Sequence, residues 1–167
     1  MTTEIRAWRI SDAPALAEIL NDKKIHDNLC DGLPFPYTVK DAEEYISAML
    51  SADKNKSFAF AIICDGKVAG SVSVFRRDNI HRKTGELGYY LGEKYWNKGV
   101  TTEAVKAICK LVFENSDIIR IFAEPFARNG ASCRVLEKSG FTCEGILKAN
   151  AIKNGIVEDT KMYALIK

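Results

Sequence analysis

Apolar residues recur along this chain with two periods, and the switches between them mark its elements. Residues 5–9 read as a first strand. Ser11 and Asp12 then offer caps for a helix whose apolar positions are Leu16, Ile19 and Leu20. Pro34 and Pro36 in LPFPYT break that helical region. Thr38, with Asp41 three residues on, opens a second helix that presents Ala42, Tyr45, Ile46, Met49 and Leu50 on one face. Residues 58–64 and 67–77 are rich in β-branched and aromatic side chains and flank Asp65-Gly66, a two-residue hairpin signal. A loop over 78–84 leads to a strand over 86–91. Further on, residues 118–124 read as a strand closed by Pro125, and 129–139 as a short helix stopped by Gly140. Residues 141–152 and 156–166 form a last hairpin around Asn154-Gly155. The order β-α-α-β-β-β-α-β-α-β-β predicts a mixed α/β fold with helices packed on a central sheet.

The junction between the strand over 86–91 and the next helix carries the most information. After Gly99, VTTEAVKAICKLVF sets Val105, Ile108, Cys109, Val112 and Phe113 on one helical stripe. A helix opening through NKG presents unpaired backbone N–H groups in its first turn, at the positive end of its dipole. Glycine lets another group approach that backbone closely. The expectation is an anion site, most simply for a phosphate-bearing cofactor. Taken alone, Gly99 is equally compatible with a plain helix start.

Composition narrows the function classes. A chain of 167 residues with a net charge of +2 and no block of basic residues predicts one domain over 1–167 and gives no support for a nucleic-acid partner. The five cysteines are odd in number and scattered, without a CxxC pair, as expected of small buried hydrophobes or incidental thiols in a reducing compartment. The two histidines, His26 and His81, stand apart from any cysteine pair, so no metal site is expected. MTTEIRAWRI lacks an apolar signal core and no run of 18 apolar residues occurs, so the expected location is cytoplasmic and away from membranes. Neither G-x-x-x-x-G-K-[ST] nor G-x-G-x-x-G is present, which argues against a nucleotide-binding module of another fold.

Three segments, ELGYYLGEKYWNKGVTTEA, NGASCRVLEKSGF and EGILKANAIKNGIVEDTKMYALI, occur in the order that resembles the GNAT superfamily of acetyl-CoA-dependent N-acetyltransferases. The opening AWRISDAPALAEI is also similar. The combination looks most like the branch that acetylates ribosomal-protein N-termini, the Rim type. The resemblance implies a central, mostly antiparallel sheet with helices on both faces. It implies that the pyrophosphate of acetyl-CoA lies on backbone amides of Lys98, Gly99, Val100, Thr101, Thr102 and Glu103. The pantetheine arm would bond the backbone near Leu91, and Asn129 would bond the same arm from the other side; alone, Asn129 reads as a helix cap. Trp96 and Thr101 stand where the wider family has Arg or Gln and Gly or Ala, departures that a backbone cradle tolerates.

Acetyl transfer requires a neutral amine. An α-amino group with a pKa of about 7.8 is roughly one-seventh neutral at pH 7, whereas a lysine at about 10.4 is under a thousandth neutral. An α-amine therefore asks little of a base, and a carboxylate acting directly or through water can serve. Glu86 matches the position where many relatives carry a catalytic glutamate, although alone it reads as a surface carboxylate. Leu136 stands where other branches carry a tyrosine acid. Ser132, one turn after Asn129, matches a serine that in the Rim-type branch protonates the leaving thiolate. The acceptor is expected between the early helices and the last hairpin, with Phe35, Tyr37 and Asn150 as wall residues. The implied activity is acetylation of a protein N-terminal α-amine by direct attack, in a monomer or homodimer. A small amine such as a polyamine, amino acid or aminoglycoside is the alternative acceptor, and a non-catalytic CoA-binding module the alternative class.

Overall fold

The computed structural model describes residues 1–167. Seven strands form one sheet in the order β1-β2-β3-β4-β5-β7-β6. They are β1 (Thr3–Ala7), β2 (Ser57–Cys64), β3 (Lys67–Arg76), β4 (Thr84–Leu91), β5 (Arg120–Ala123), β6 (Thr142–Lys153) and β7 (Ile156–Ile166). Every pairing is antiparallel except β4 with β5. Tight turns at Asp65-Gly66 and Asn154-Gly155 close the β2–β3 and β6–β7 hairpins where the sequence signals them.

Helices cover both faces. On one side lie α1 (Ala13–Leu20), the short α2 (Lys23–His26) and α3 (Val39–Ser51). Their apolar residues meet Trp8, Ala61 and Ile63 in one core that includes Leu16, Leu20 and Ile46. On the other side, α4 (Val100–Asn115) and α5 (Gly130–Lys138) pack on a larger core. There Val105, Ile108 and Val112 meet Ile62, Val72, Leu87 and Ile121. The alternating side chains of β2 serve both cores, as period-2 patterning requires.

Local chemistry explains most element ends. The Thr38 hydroxyl accepts from Asp41 N–H at 3.1 Å while the Asp41 carboxylate accepts from Thr38 N–H at 2.8 Å, a reciprocal cap that starts α3. The first strand runs two residues earlier than the sequence pattern predicts, because Ile5 pairs with Ile62 and Trp8 leaves the sheet to fill the α1–α3 core. Strand β5 is shorter at both ends than expected. Ile118 is buried ahead of the ladder, and Glu124-Pro125 already leads away from it. The four residues of α2 carry no periodic signal that sequence could reveal.

Candidate active site

Strands β4 and β5 pair over three residues only, ending at Glu86 opposite Phe122. Beyond that point β4 stays bonded to β3 up to Leu91 opposite Gly70, while β5 turns away at Pro125. A β-carbon on Gly70 would sit 2.1 Å from the Tyr90 carbonyl oxygen, so glycine is required for the end of β4 to lie this close to β3. The ladder fixes which way the β4 backbone faces. Gly92 N–H and the Thr84 carbonyl bond β3 and its extension, so even-numbered residues face β3. The N–H and C=O groups of Leu87, Tyr89 and Leu91 therefore face the gap where β5 has departed. An extended, amide-rich chain can add to an open edge of this kind.

The gap leads to the start of α4. Asn97 and Gly99 both adopt left-handed backbone, with φ of 59° and 80°. No side chain caps α4, and no group in the protein accepts a hydrogen bond from the amides of Lys98, Gly99, Val100, Thr101 or Thr102. The Glu103 amide is different: it donates to the Gly99 carbonyl at 3.1 Å, so the open amides end at Thr102. Open space surrounds the position of a Gly99 β-carbon, leaving the amides accessible. Together with the helix dipole, such an arrangement is able to receive phosphate oxygens. Trp96 fixes the approach to it, because its indole Nε1 donates to the Leu91 carbonyl at 2.7 Å. That bond occupies the Leu91 oxygen and leaves the Leu91 N–H facing the gap. The Lys98 ammonium is turned back onto the Lys94 carbonyl at 2.7 Å.

The far lip of the gap is α5. The Asn129 side-chain oxygen accepts from Ser132 N–H at 3.2 Å, capping the helix and leaving its amide nitrogen without a partner in the chain. Ser132 Oγ lies 2.6 Å from the Tyr89 hydroxyl, so a phenol on β4 and a hydroxyl on α5 meet across the gap. Burial pushes the Tyr89 phenol up to about 12. Tyr89 was not legible from the sequence as a site residue, since a tyrosine on a strand reads as packing.

Glu86 projects to the opposite face, away from the core that holds Leu87, and its carboxylate forms an ion pair with Arg77 at 2.9 Å. The Arg77 guanidinium in turn lies over the Phe122 ring, 5.2 Å from its centroid. On that same face, just past β5, Glu124 Oε1 accepts from Asn150 Nδ2 at 2.9 Å and from the Thr160 hydroxyl at 3.2 Å. Asn150 is thus drawn to Glu124. Phe35 is 57% exposed, its ring edge-on to His26. Tyr37 is 4% exposed inside the α1–α3 core, where burial pushes its phenol up to about 12, so it offers little surface as a wall. Beside Phe35 is a cleft of about 220 Å³ that also includes His26, Asp27 and Lys153. The β6–β7 hairpin is tied to this early segment through Lys153 with Asp31 at 3.0 Å and Asn154 with Asp27 at 3.0 Å.

A split sheet beside an amide-lined helix start, with hydroxyls on the far lip, is an arrangement able to hold a phosphorylated carrier with an extended arm. A family model described as an acetyltransferase (GNAT) domain matches residues 3–142, and the chain belongs to that family. The probable N-acetyltransferase YjcK of Bacillus subtilis (strain 168) is 34% identical over 133 residues, spanning 78% of this chain and 74% of that protein. The ribosomal alpha-N-protein acetyltransferase RimL in complex with coenzyme A superposes with a TM-score of 0.88 at 26% identity, covering 99% of this chain and 94% of that one. The microcin self-immunity acetyltransferase MccE, in complex with acetyl-CoA and AMP, gives 0.85 at 25% identity, covering 99% and 92%. The protein is an N-acetyltransferase with acetyl-CoA as donor, and its relatives include ribosomal-protein acetyltransferases.

Proposed function

We propose that the protein transfers the acetyl group to the α-amine at a protein N-terminus, and that residues 1–167 act as one catalytic unit. The observation that carries this reading is the gap between β4 and β5, with the open α4 amides at one end and two carboxylates on its acceptor face. The likeness to RimL supports an N-terminal amine over a lysine, and so does the acid–base arithmetic. Deprotonation at pH 7 costs about 1 kcal/mol for an α-amine and more than 4 kcal/mol for lysine.

Acetyl-CoA supplies an activated thioester when bound. Amides of Lys98, Gly99, Val100, Thr101 and Thr102 hold its phosphates, and backbone groups of Tyr89 and Leu91 with the Asn129 amide hold the arm. The bonds to the charged phosphates are worth roughly 1.5–3 kcal/mol each, so a few suffice for micromolar affinity. Glu86 takes the proton of the attacking amine, directly or through water, from within its ion pair with Arg77. Ser132 gives its proton to the departing sulfur, with the Tyr89 phenol donating to Ser132 Oγ behind it. Phe35 and the cleft beside it form the acceptor wall. The small volume of that cleft, about 220 Å³, and the likeness to MccE favour a compact amine as the second reading.

Titration calorimetry with acetyl-CoA on wild-type and Gly99→Asp protein tests the cradle. The expected result is saturable micromolar binding that the substitution weakens at least tenfold, since it adds strain at a φ of 80° and a negative charge among the amides. Equal affinities would remove the α4 start from the site. Thiol release with peptides bearing a free N-terminus, compared with polyamines, then separates the two acceptor readings. A Glu86→Gln enzyme with unchanged turnover and pH profile would end the assignment of Glu86 as base.

A further inference from the structure

Glu124 is a carboxylate without a counter-charge in the chain. Every other acidic residue that is buried or half-buried either pairs with a cation or sits at a helix start. Asp12, Glu86 and Glu158 face arginines, and Asp27 and Asp159 face lysines. Asp22 and Asp41 accept backbone N–H groups at helix starts, where the dipole favours them. Glu124 differs from all of these. It is half-buried, makes no ion pair, and is held only by the neutral Asn150 amide and Thr160 hydroxyl. Thr160 is 4% exposed and also receives Asn150 Nδ2 at 3.0 Å, so three strands or strand ends converge to fix one carboxylate oxygen.

Neutral donors set the direction of a carboxylate but do not neutralise it. Withdrawing such a group partly from water without a cation is unfavourable, and a built support for it implies that the cation comes from outside. The position agrees with that. Glu124 lies two residues beyond Phe122, the last residue of β5 paired with β4, so it stands on the lip of the gap. Ile121 and Ala123 belong to the α4-side core, and Phe122 lies under Arg77, which is paired with Glu86. Strand alternation therefore puts Phe122 and Glu124 on the same face as Glu86. Of the two carboxylates flanking the gap there, Glu86 is already paired with a guanidinium, and Glu124 is the one with charge to spare.

We propose that Glu124 receives the acceptor's ammonium group, and hence that the acceptor is a cationic aliphatic amine bound in its protonated form. This rests on the acetyltransferase site proposed above and adds its recognition element. Oε1 is committed to Asn150 and Thr160, and the ammonium takes the remaining acceptor capacity of the carboxylate. A nitrogen held through its own N–H keeps its remaining bonds directed toward the gap. Glu86 then relieves it of a proton.

The test uses the purified full chain with acetyl-CoA and two probe acceptors: a peptide with a free N-terminal serine or alanine, or spermidine, each cationic at pH 7, and 4-methoxyaniline, neutral at pH 7. In Glu124→Gln the side chain keeps its shape and can still accept from Asn150 and Thr160. The expected result is a KM for the cationic acceptor raised tenfold or more. The kcat/KM for 4-methoxyaniline and the Kd for acetyl-CoA should stay within twofold. An unchanged KM for the cationic acceptor overturns the proposal, as does an equal loss for both acceptors at unchanged acetyl-CoA affinity. Wild-type protein that binds acetyl-CoA but acetylates none of the cationic amines also overturns it. Failure of the wild type to bind acetyl-CoA would instead bring down the site reading on which it depends.

Discussion

Tyr89 and Ser132 stand 43 residues apart in sequence, yet their hydroxyls make a 2.6 Å contact across the gap. If the phenol donates to Ser132 Oγ, the serine proton is free for a group in the gap, and the shared bond strengthens the serine as a donor. With the phenol pushed up to about 12, Tyr89 stays protonated throughout the working range. Replacing Tyr89 by Phe removes one hydrogen bond, worth about 1 kcal/mol. The expected outcome is kcat lower by roughly fivefold, no new limb in the pH–rate profile below pH 10, and acetyl-CoA affinity within twofold. Single-turnover rates identical to wild type would make the contact purely structural. The sequence exposed Ser132 only through its family resemblance and did not expose Tyr89. Glu124 was hidden for the same reason: its partners, at positions 150 and 160, are brought to it by strand pairing and not by spacing.

Elements whose signals are local were legible, and those set by distant pairing were not. Thr38 with Asp41, the two-residue turns and the apolar stripe of α4 each act within a few residues, and each element forms where expected. The ends of β1 and β5 shifted because they depend on β2, β4 and β7. Helix α5 combines both kinds of information at Asn129, which caps the helix and keeps its amide nitrogen free of any partner in the chain. Asn129→Asp separates the two roles. Aspartate still accepts from Ser132 N–H and suits the positive helix end, a gain of about 0.3–1 kcal/mol. It loses the amide donor and brings negative charge near the arm. Thermal denaturation should therefore show a Tm equal to or above wild type, while the Kd for acetyl-CoA rises about tenfold, one hydrogen bond to the arm. Unchanged affinity would leave Asn129 as a cap alone.

At the scale of the molecule, the residue pattern supports a mixed fold with helices on a central sheet and the family resemblance adds helices on both faces, but neither carries the strand order that creates the gap. Placing β7 between β5 and β6 depends on contacts that no periodicity carries. The same two cores that hold the gap open also bury several weak acids. Burial pushes the Cys109 thiol from 9.0 up to about 12, and the Tyr37 and Tyr89 phenols from 10.0 to about 12. Tyr90 is also raised well above its ordinary value by burial. Each group is neutral when protonated, and each has a folded-state pKa above its unfolded value. Below pH 9 both states hold these protons and stability does not depend on them. Above pH 9 the unfolded chain begins to ionise while the folded one does not, so stability falls as pH rises toward 12. The Tm should accordingly be level between pH 7 and about 8.5, and then decline with increasing slope as first Cys109 and then the tyrosines contribute. In Cys109→Ala the decline should begin about one pH unit later, from a lower starting Tm because the substitution leaves a small cavity under α4. A Tm that holds level to pH 11, or an onset that does not move in Cys109→Ala, would mean that these groups reach solvent before the fold opens.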